Sequence, residues 1–503
     1  MLTPVSDQED VMAKALRVDP RDGVATLLDD ALAGEVVTAG DRDVALTADI
    51  GRGHKVALTP IATGDAVLKY GFPIGKATQP IAAGAHVHSH NLKTGLEGTL
   101  AYRFDPQAIG DPAGTSSATF EGYVRADGSV GTRNEIWILS TVGCVARTAE
   151  RIAAKAALTV GDGVDGVHAF THPHGCSQLG QDLAGTRTIM ASLACHPNAG
   201  GVLIVGLGCE ENQIRALLAT IPESRHPMIR TLTTQASGDE IAEGCALVTE
   251  LAALAASRRE TVGLDRLVLG VKCGGSDGLS GLTANPLVGR MSDRVTSAGG
   301  RVLVTEIPEI FGAEQMLMNR AANEGVFDRI VGVVNDFKRY FLDHGETVSE
   351  NPSPGNVAGG ITTLEEKSLG AVQKAGRAAV ADVIAYGARI RTEGLTLLEA
   401  PGNDAVSSTA LAAAGATAIL FTTGRGTPLG FPVPTIKIAS NTDLAQRKPG
   451  WIDFDAGAVL EDGFAATEDA LLGRILQVAS GAETAAERNG EREIAIWKRG
   501  VTL

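Results

Sequence analysis

Three unbroken apolar runs, at residues 136–140, 201–207 and 267–271, constrain the fold of this chain more than any other feature. They do not alternate with polar residues, which is typical of strands buried on both faces of a parallel sheet. Helical patterns at 148–158, 241–256 and 286–298 lie near and between them, and a further strand and helix unit covers 395–421. The alternation predicts an α/β body in two parts with mainly parallel sheets.

The first 97 residues follow a different pattern. Short alternating runs at 22–28 and 54–58 are separated by turns rich in Gly, Asp and Pro, which predicts a small β module. Residues 104–117 carry Pro, Gly, Ser and Asp without a hydrophobic period, which is typical of a linker. We therefore predict a β module at 1–97, a linker at 98–118, a first α/β domain at 119–258 and a second, C-terminal α/β domain at 259–503.

Charge and hydropathy exclude two classes of partner. With 44 Lys and Arg against 59 Asp and Glu, the formal charge of -15 would repel a nucleic-acid backbone. The first ten residues are polar and acidic, and no run reaches the roughly 18 apolar residues of a membrane span. We expect no nucleic-acid partner, no membrane contact and a cytoplasmic location.

Four of the six cysteines lie directly beside glycine: Cys144, Cys176, Cys209 and Cys273. Ligands bind at the carboxyl ends of strands in open α/β sheets, so these thiols are expected to converge on one crevice. Thiolates there suit iron, zinc or an iron–sulfur cluster. The alternative is that they are small buried apolar residues, as we expect for Cys195 and Cys245.

A run of histidines lies in the β module at residues 86–91. Alternation along a strand would place His86, His88 and His90 on one face, where they could meet one divalent cation or one substrate oxyanion. The pair His54 and Lys55 gives a weaker signal, because a basic pair at a strand edge needs no function.

Two glycine-rich loops, 272–281 and 423–428, place backbone N–H groups beside a cation. This is what a carboxylate site requires. Neither loop has the pattern of a nucleotide-binding motif, and tight turns remain the structural alternative.

The chain resembles the altronate/galactarate dehydratase family over nearly its whole length. The resemblance is carried by 52–55, 69–71, 86–91, 131–135, 175–180, 196–200, 206–210, 273–278, 335–338, 350–356, 359–365 and 400–404. It implies an N-terminal SAF-type (β-clip) module, a two-part α/β body, and iron- or manganese-dependent loss of water from a sugar acid.

The run at 86–91 favours the altronate-type members, which convert D-altronate to 2-dehydro-3-deoxy-D-gluconate. Galactarate or another aldonate or aldarate, and a sulfolactate-type lyase reaction, stay open as alternatives. A sugar-acid or metal sensor is the alternative outside enzymes.

The motifs and the resemblance together assign candidate site residues. Removing the proton at C2 requires a base, and the developing charge requires donors or a cation. The candidate catalytic residues are His54, Lys55, His86, His88, Arg133 and Lys272. The candidate substrate-binding residues are Asn91, Asn134, Ser276, Asp277, Lys338, Asn403 and Arg425. The candidate metal ligands are Cys144, Cys176, Cys209, Cys273, His86 and His88. The expected cofactor is iron, as Fe²⁺ or an iron–sulfur cluster, or Mn²⁺, and a homo-oligomer is expected.

Overall fold

A computed structural model describes residues 14–107 and 117–500. Its N-terminal part is the predicted β module, with antiparallel strands arranged in a four-stranded sheet β1-β2-β5-β8, a three-stranded sheet β6-β7-β9 and the hairpin β3-β4. The strands are β1 (Ala15–Leu16), β2 (Val24–Leu27), β3 (Val36–Ala39), β4 (Arg42–Ala45), β5 (Lys55–Ala57), β6 (Ala66–Lys69), β7 (Phe72–Ala77), β8 (His86–Val87) and β9 (Leu92–Lys93).

The middle part is an α/β unit around a parallel sheet of order β13-β12-β14-β15. Its strands are β10 (Thr119–Val124), β11 (Val130–Gly131), β12 (Glu135–Ser140), β13 (Gly166–Phe170), β14 (Ala199–Gly206), β15 (Ile229–Thr233) and β16 (Glu260–Gly263). Its helices are α1 (Ala146–Ala156), α2 (Gly180–Ala194), α3 (Ile214–Leu218) and α4 (Glu240–Ala255). The strand β16, which follows the boundary predicted at 258, pairs with β10.

The C-terminal part contains a seven-stranded parallel sheet of order β19-β20-β18-β17-β21-β22-β23. Its strands are β17 (Val268–Cys273), β18 (Arg301–Val304), β19 (Val380–Ile384), β20 (Gly394–Leu398), β21 (Ala418–Thr423), β22 (Thr435–Ala439) and β23 (Phe454–Asp455). Its helices are α5 (Ala284–Ser297), α6 (Glu314–Met318), α7 (Glu324–Asp343), α8 (Pro354–Ala358), α9 (Leu364–Ala371), α10 (Asp404–Ala414), α11 (Thr442–Arg447), α12 (Val459–Ala479) and α13 (Ala485–Arg488). The fold class is as predicted.

The middle sheet is covered on both faces, which explains its unbroken apolar runs. Ile136 and Ile138 of β12 face a core with α1 and α4, whereas Trp137 and Leu139 face a core that includes α2 and α10. The middle and C-terminal parts therefore share a core across α2 and α10.

The N-terminal module is docked on the C-terminal part by close backbone approach. A Cβ atom on Gly278 of the C-terminal part would collide with the carbonyl of Gly53 in the module. Gly360, at φ +96°, is in equally close contact with Gly53, so neither position has room for a side chain. This docking brings His54 to the loop that ends at Gly360.

Two further observations concern membrane-spanning helices and the part of the predicted linker that is described. Among residues 14–107 and 117–500, none of the helices combines the length and apolarity that a bilayer crossing needs. Residues 108–116 of the linker predicted at 98–118 lie outside the described residues.

Candidate active site

A buried ion network lies at the carboxyl ends of three neighbouring strands of the seven-stranded sheet. Lys272 is the next-to-last residue of β17, Glu306 follows β18, and Asp404 begins the helix after β20. The Lys272 ammonium is fully buried, pairs with Glu306, and lies 2.8 Å from Oδ1 of Asp404. Burial opposes its charge, but the Glu306 and Asp404 carboxylates raise the pKa of Lys272. Lys272 is therefore a fixed cation that orients two carboxylates.

Glu306 takes up a backbone conformation that side chains rarely adopt. Its φ of +68° lies in the left-handed region, and its second oxygen accepts from the N–H of Cys273 at 3.0 Å and from Lys374 at 3.3 Å. Burial opposes ionisation, but Lys272 and Lys374 hold the pKa of Glu306 below its usual range. Strained backbone of this kind is concentrated at functional sites.

A second buried pair extends the network. Lys367 Nζ donates to Oε1 of Glu309 at 2.9 Å and to Oδ1 of Asn351 at 3.0 Å. The other oxygen of Glu309 is buried without a hydrogen-bond partner in the described part of the chain. Burial raises the pKa of Glu309. Glu306, Glu309 and Lys367 are not among the residues predicted from sequence; the available signal was a carboxylate, Glu306, two residues after the end of β18.

Three imidazoles from the N-terminal module meet beside this network. The ring centroids of His54, His86 and His88 lie 5.1–5.2 Å from one another. Nδ1 of His54 faces Nε2 of His86 at 3.0 Å, and Nε2 of His88 lies 3.1 Å from the carbonyl of Val357. Val357 is next to Asn356, whose Oδ1 lies 3.3 Å from Lys367 Nζ. One short segment therefore connects the imidazoles to the ion network.

The strand predicted through 86–90 is shorter than expected. β8 ends at Val87, because Asn91 closes a turn: its Oδ1 accepts from the N–H of His88 at 2.9 Å, and its Nδ2 donates to the carbonyl of His86 at 2.9 Å. His90 is exposed at the edge of the group, 5.6 Å from His86 between centroids. The buried Asn91 thus shapes the turn, and the third imidazole comes from His54.

The histidines are held in the neutral form. Burial, with a contribution from His54, lowers the pKa of His86 to about 3. Burial also lowers the pKa of His54 and of His88. Neutral imidazoles can accept a proton or bind a cation at neutral pH.

Lys55 does not face the imidazoles. Its fully buried ammonium donates to Glu366 at 2.9 Å and to the carbonyl of Gly360 at 2.7 Å, and Lys69 donates to the other oxygen of Glu366 at 2.8 Å. Burial lowers the pKa of Lys55 to about 8, while the two lysines hold the pKa of Glu366 well below its usual range. The arrangement gives Lys55 a docking role between the module and the C-terminal part.

The predicted glycine-rich loops border the same edge. Asp277 is engaged within its loop, where Oδ1 accepts from Ser280 and Ser440 and Oδ2 accepts from Asn441. Ser276 is buried, with Oγ 2.6 Å from the Cys273 thiol. Arg425 is exposed on the second loop, and its N–H donates to the carbonyl of Gly275 at 3.0 Å.

Asn403 has a local role: its Oδ1 accepts from the N–H of Val406 and caps the helix α10, which begins at Asp404. The cap fixes the start of the helix that carries Asp404.

Three predicted residues have their hydrogen-bonding groups engaged in contacts away from the histidines. All five N–H donors of Arg133 are used, by Glu487 and by the carbonyls of Thr132, Val478 and Ala482. Buried Asn134 bonds Arg125, Gly163 and Ala255. Lys338 bonds Tyr102 at 2.7 Å and Glu314 at 2.6 Å. Each joins structural elements and has no group facing the histidines, so these contacts favour structural roles.

The predicted metal ligands lie in three different places in the described part of the chain. Cys144, Cys176 and Cys209 are exposed and follow β12, β13 and β14 of the middle sheet, whereas Cys273 is buried at the end of β17 in the other sheet. His86 and His88 lie in the module. Across the described ranges, no three His, Cys, Asp or Glu side chains are grouped as ligands of one ion. Neighbouring loops on one sheet edge do not bring thiols within reach of one metal.

Comparisons with known proteins cover almost the whole chain. A family model described as altronate/galactarate dehydratase SAF domain matches residues 13–95. The second domain of D-galactarate dehydratase/altronate hydrolase matches 122–256. The C-terminal part of D-galactarate/altronate dehydratase matches 264–502.

Individual relatives agree with these matches. The altronate dehydratase of Escherichia coli (strain K12) is 48% identical over 97% of this chain and 99% of its own length. The altronate dehydratase of Bacillus subtilis (strain 168) is 47% identical over 98% of this chain and 100% of its own length. The galactarate dehydratase (L-threo-forming) of Escherichia coli (strain K12) is 35% identical over 94% of each chain.

Proposed function

The chain belongs to the D-galactarate/altronate dehydratase family, and from this premise we propose that it removes water from a sugar acid. We take D-altronate as the substrate and 2-dehydro-3-deoxy-D-gluconate as the product. The relatives named altronate dehydratase are more similar to this chain than the one named galactarate dehydratase, which favours this choice.

One observation carries the chemical part of the proposal. Neutral imidazoles of the module lie beside a buried ion network at the carboxyl edge of a parallel sheet. Such edges are where α/β proteins bind ligands. Burial and nearby charges set the protonation states of the imidazoles and of the ion network, which is typical of catalytic sites.

Dehydration requires a base at C2 and stabilisation of the charge that develops next to the carboxylate. One of the two nitrogens that face each other at 3.0 Å, on His54 or on His86, accepts the C2 proton. The exposed guanidinium of Arg425 can bind the substrate carboxylate as a bidentate partner. Lys272 is a positioning residue, because its ammonium holds the carboxylates of Asp404 and Glu306 at the edge of the site.

A divalent iron or manganese ion is part of the proposal. The donor chemistry fits at the His54 and His86 pair, whose neutral rings can bind a cation; the ion would be held by the facing nitrogen that does not take the proton, and further positions would be left for the substrate. When bound, the ion would stabilise negative charge on the substrate carboxylate and 2-hydroxyl. An iron–sulfur cluster on the four cysteines has no support in their separate positions.

The test offers D-altronate, galactarate and sulfolactate separately to protein purified without oxygen and supplied with Fe²⁺ or Mn²⁺. We expect a 2-keto-3-deoxy acid from D-altronate. A product from galactarate alone, or sulfite released from sulfolactate, would replace the proposed substrate. Absence of turnover with all three would favour a sensor.

The base is tested with His54→Gln and His86→Gln, and the exposed His90→Gln is the matched control. The rate at which the C2 hydrogen of D-altronate exchanges with deuterium from solvent should fall by about 10²-fold or more in the first two variants and stay unchanged in the control. Metal content per chain, measured on the same samples, shows whether these residues also hold the ion.

A further inference from the structure

Two adjoining cavities lie at the edge of the molecule opposite the candidate active site. They measure about 370 Å³ and about 490 Å³, and both are lined by Asp127, Ser129, Pro197 and Arg389. Pro197 precedes β14, and Arg301 begins β18. The cavities therefore lie at the amino ends of both parallel sheets, whereas Lys272, Glu306 and Asp404 lie at carboxyl ends.

The lining is strongly basic in a chain whose formal charge is -15. One carboxylate, that of Asp127, lines the two cavities. The arginines that line them are Arg125, Arg225, Arg266, Arg301, Arg389 and Arg391. We call this set the arginine cluster.

Within the described residues, the inner arginines of the cluster, Arg125 and Arg225, form no direct ion pair with a carboxylate. Arg125 donates to the carbonyls of Pro197 and Arg133 and to the amide oxygen of Asn134, and Arg225 donates to the carbonyls of Ala194 and Ala199. Neither bond set includes a carboxylate. A guanidinium held away from water without a counter-ion is costly, so an anion in the cavity would relieve this cost.

Arg389, which lines both cavities, has a hydrogen-bond donor that the described residues do not use. Its Nε atom is buried and has no hydrogen-bond partner within the described ranges, although the side chain also contacts the thiol of Cys195. Oδ1 of Asp127, the carboxylate that lines both cavities, accepts from the N–H and the hydroxyl of Ser129 at 3.0 and 2.6 Å, so this one negative charge faces several arginines.

The lowered pKa values of the inner arginines agree with guanidinium groups that are buried close to one another. Burial, followed by the charge of Arg225, lowers the pKa of Arg125 to about 10. Burial also lowers the pKa of Arg225. The outer arginines are only weakly paired: Arg266 lies 3.3 Å from the exposed Asp265, and Arg301 lies 3.8 Å from the exposed Glu393.

We propose that the arginine cluster is a binding site for a small polyanion that carries two or more phosphate or carboxylate groups. Guanidinium groups bind both kinds of oxyanion through paired N–H donors. The cavity volumes are those of small-molecule sites. The two cavities share one wall, and arginines lie on both sides of it. This arrangement favours a ligand with negative charge at two places. The proposed sugar-acid substrate has one carboxylate and is therefore not the preferred occupant.

The test is calorimetric titration of the full-length protein with inorganic pyrophosphate and, separately, with citrate. Acetate serves as the monoanion control. We expect saturable binding of at least one polyanion, with pyrophosphate alone indicating phosphate groups and citrate alone indicating carboxylates. Arg389→Ala should weaken this binding by about tenfold or more, which corresponds to the loss of one charge-assisted contact.

Two further variants make the result decisive. Arg391→Ala removes an exposed member of the cluster and should weaken binding without affecting folding, whereas Arg147→Ala, at an exposed pair with Glu150, should leave it unchanged. The proposal is overturned if neither polyanion binds, if acetate binds as tightly, or if both cluster variants bind like the unaltered protein. Equal loss in Arg147→Ala would also overturn it.

Discussion

At the scale of single residues, burial of the histidines sets the pH range in which the proposed base can act. Burial lowers the pKa of His86 to about 3, so this ring stays neutral well below the usual histidine value of about 6.5, and burial lowers the pKa of His54 in the same direction. We predict that kcat/KM for D-altronate has no acid limb at 6.5 and declines only at lower pH. A pH profile measured from 4.5 to 8.5 tests this, and an inflection near 6.5 would contradict it.

The same lowered pKa values make stability depend on pH. Below about 6.5 the unfolded chain binds protons at these histidines while the folded protein does not, so the free energy of unfolding should fall as pH falls from about 6.5 towards 3. Urea unfolding of His86→Gln and the unaltered protein at pH 7.5 and 5.0 isolates the effect. The variant should lose less stability between the two pH values, and an identical loss would contradict the prediction.

Glu309 combines a raised pKa with an oxygen that has no partner in the described part of the chain. We predict that Glu309→Gln lowers kcat by about 10²-fold while KM changes little, since such a carboxyl can hold the proton that the departing hydroxide needs. The matched control is Glu314→Gln, another buried glutamate paired with a lysine. Turnover is measured per folded chain, and an equal fall in both variants would assign Glu309 a structural role.

Single residues were predicted well where chemistry follows a strand end and poorly where it depends on distant partners. Lys272 is indicated by its place after the apolar run of β17, and it does lie at the sheet edge. Arg133 looks equally suitable in sequence, yet its partner Glu487 is 354 positions away and uses its donors. No local pattern shows such pairing, so the sequence alone could not indicate that the donors of Arg133 are used by Glu487.

At the scale of elements, one buried glutamate of α9 holds the N-terminal module. Glu366 bonds Lys55 at the start of β5 and Lys69 at the end of β6. Glu366→Gln would leave two buried ammonium groups with one neutral partner, so we predict a loss of about 3–5 kcal/mol in the free energy of unfolding. The control Asp443→Asn breaks the exposed pair with Arg52 across the same junction and should cost about 0–1 kcal/mol. Equal costs by chemical unfolding would contradict this docking role.

The elements themselves follow from hydrophobic pattern wherever both faces are buried. The run at 136–140 became β12, the run at 201–207 lies within β14 apart from its last residue, and the helical pattern at 241–256 became α4 (Glu240–Ala255). The pattern failed at 86–90, because Asn91 bonds the backbone on both sides of the turn and ends β8 at Val87. A side chain that competes for backbone hydrogen bonds overrides alternation.

At the scale of the whole molecule, the N-terminal module and the seven-stranded part share one hydrophobic core. Val56 belongs to a separate small cluster in the module, but Ala57 and Val67 belong to the same cluster as Leu269 and Val271 of β17. A boundary drawn from composition near residue 97 therefore separates two sequence patterns and not two independent cores. Sequence alone could not show this, because the contacts join positions some 200 residues apart.

The shared core predicts that the module and the seven-stranded sheet unfold together. Removing residues 1–97 would expose the apolar face that contacts Ala57 and Val67 and leave Glu366 buried without its two lysines. In native-state hydrogen exchange of the full chain with low denaturant, the amides of β5 and β17 should therefore reach the same opening free energy. Residues 98–503 alone should lose protection at β17, and the strand β12, whose outer face contacts α1 and α4, should be affected least. Full protection of β17 in the shortened chain would show that the module is an independent domain resting on a complete body.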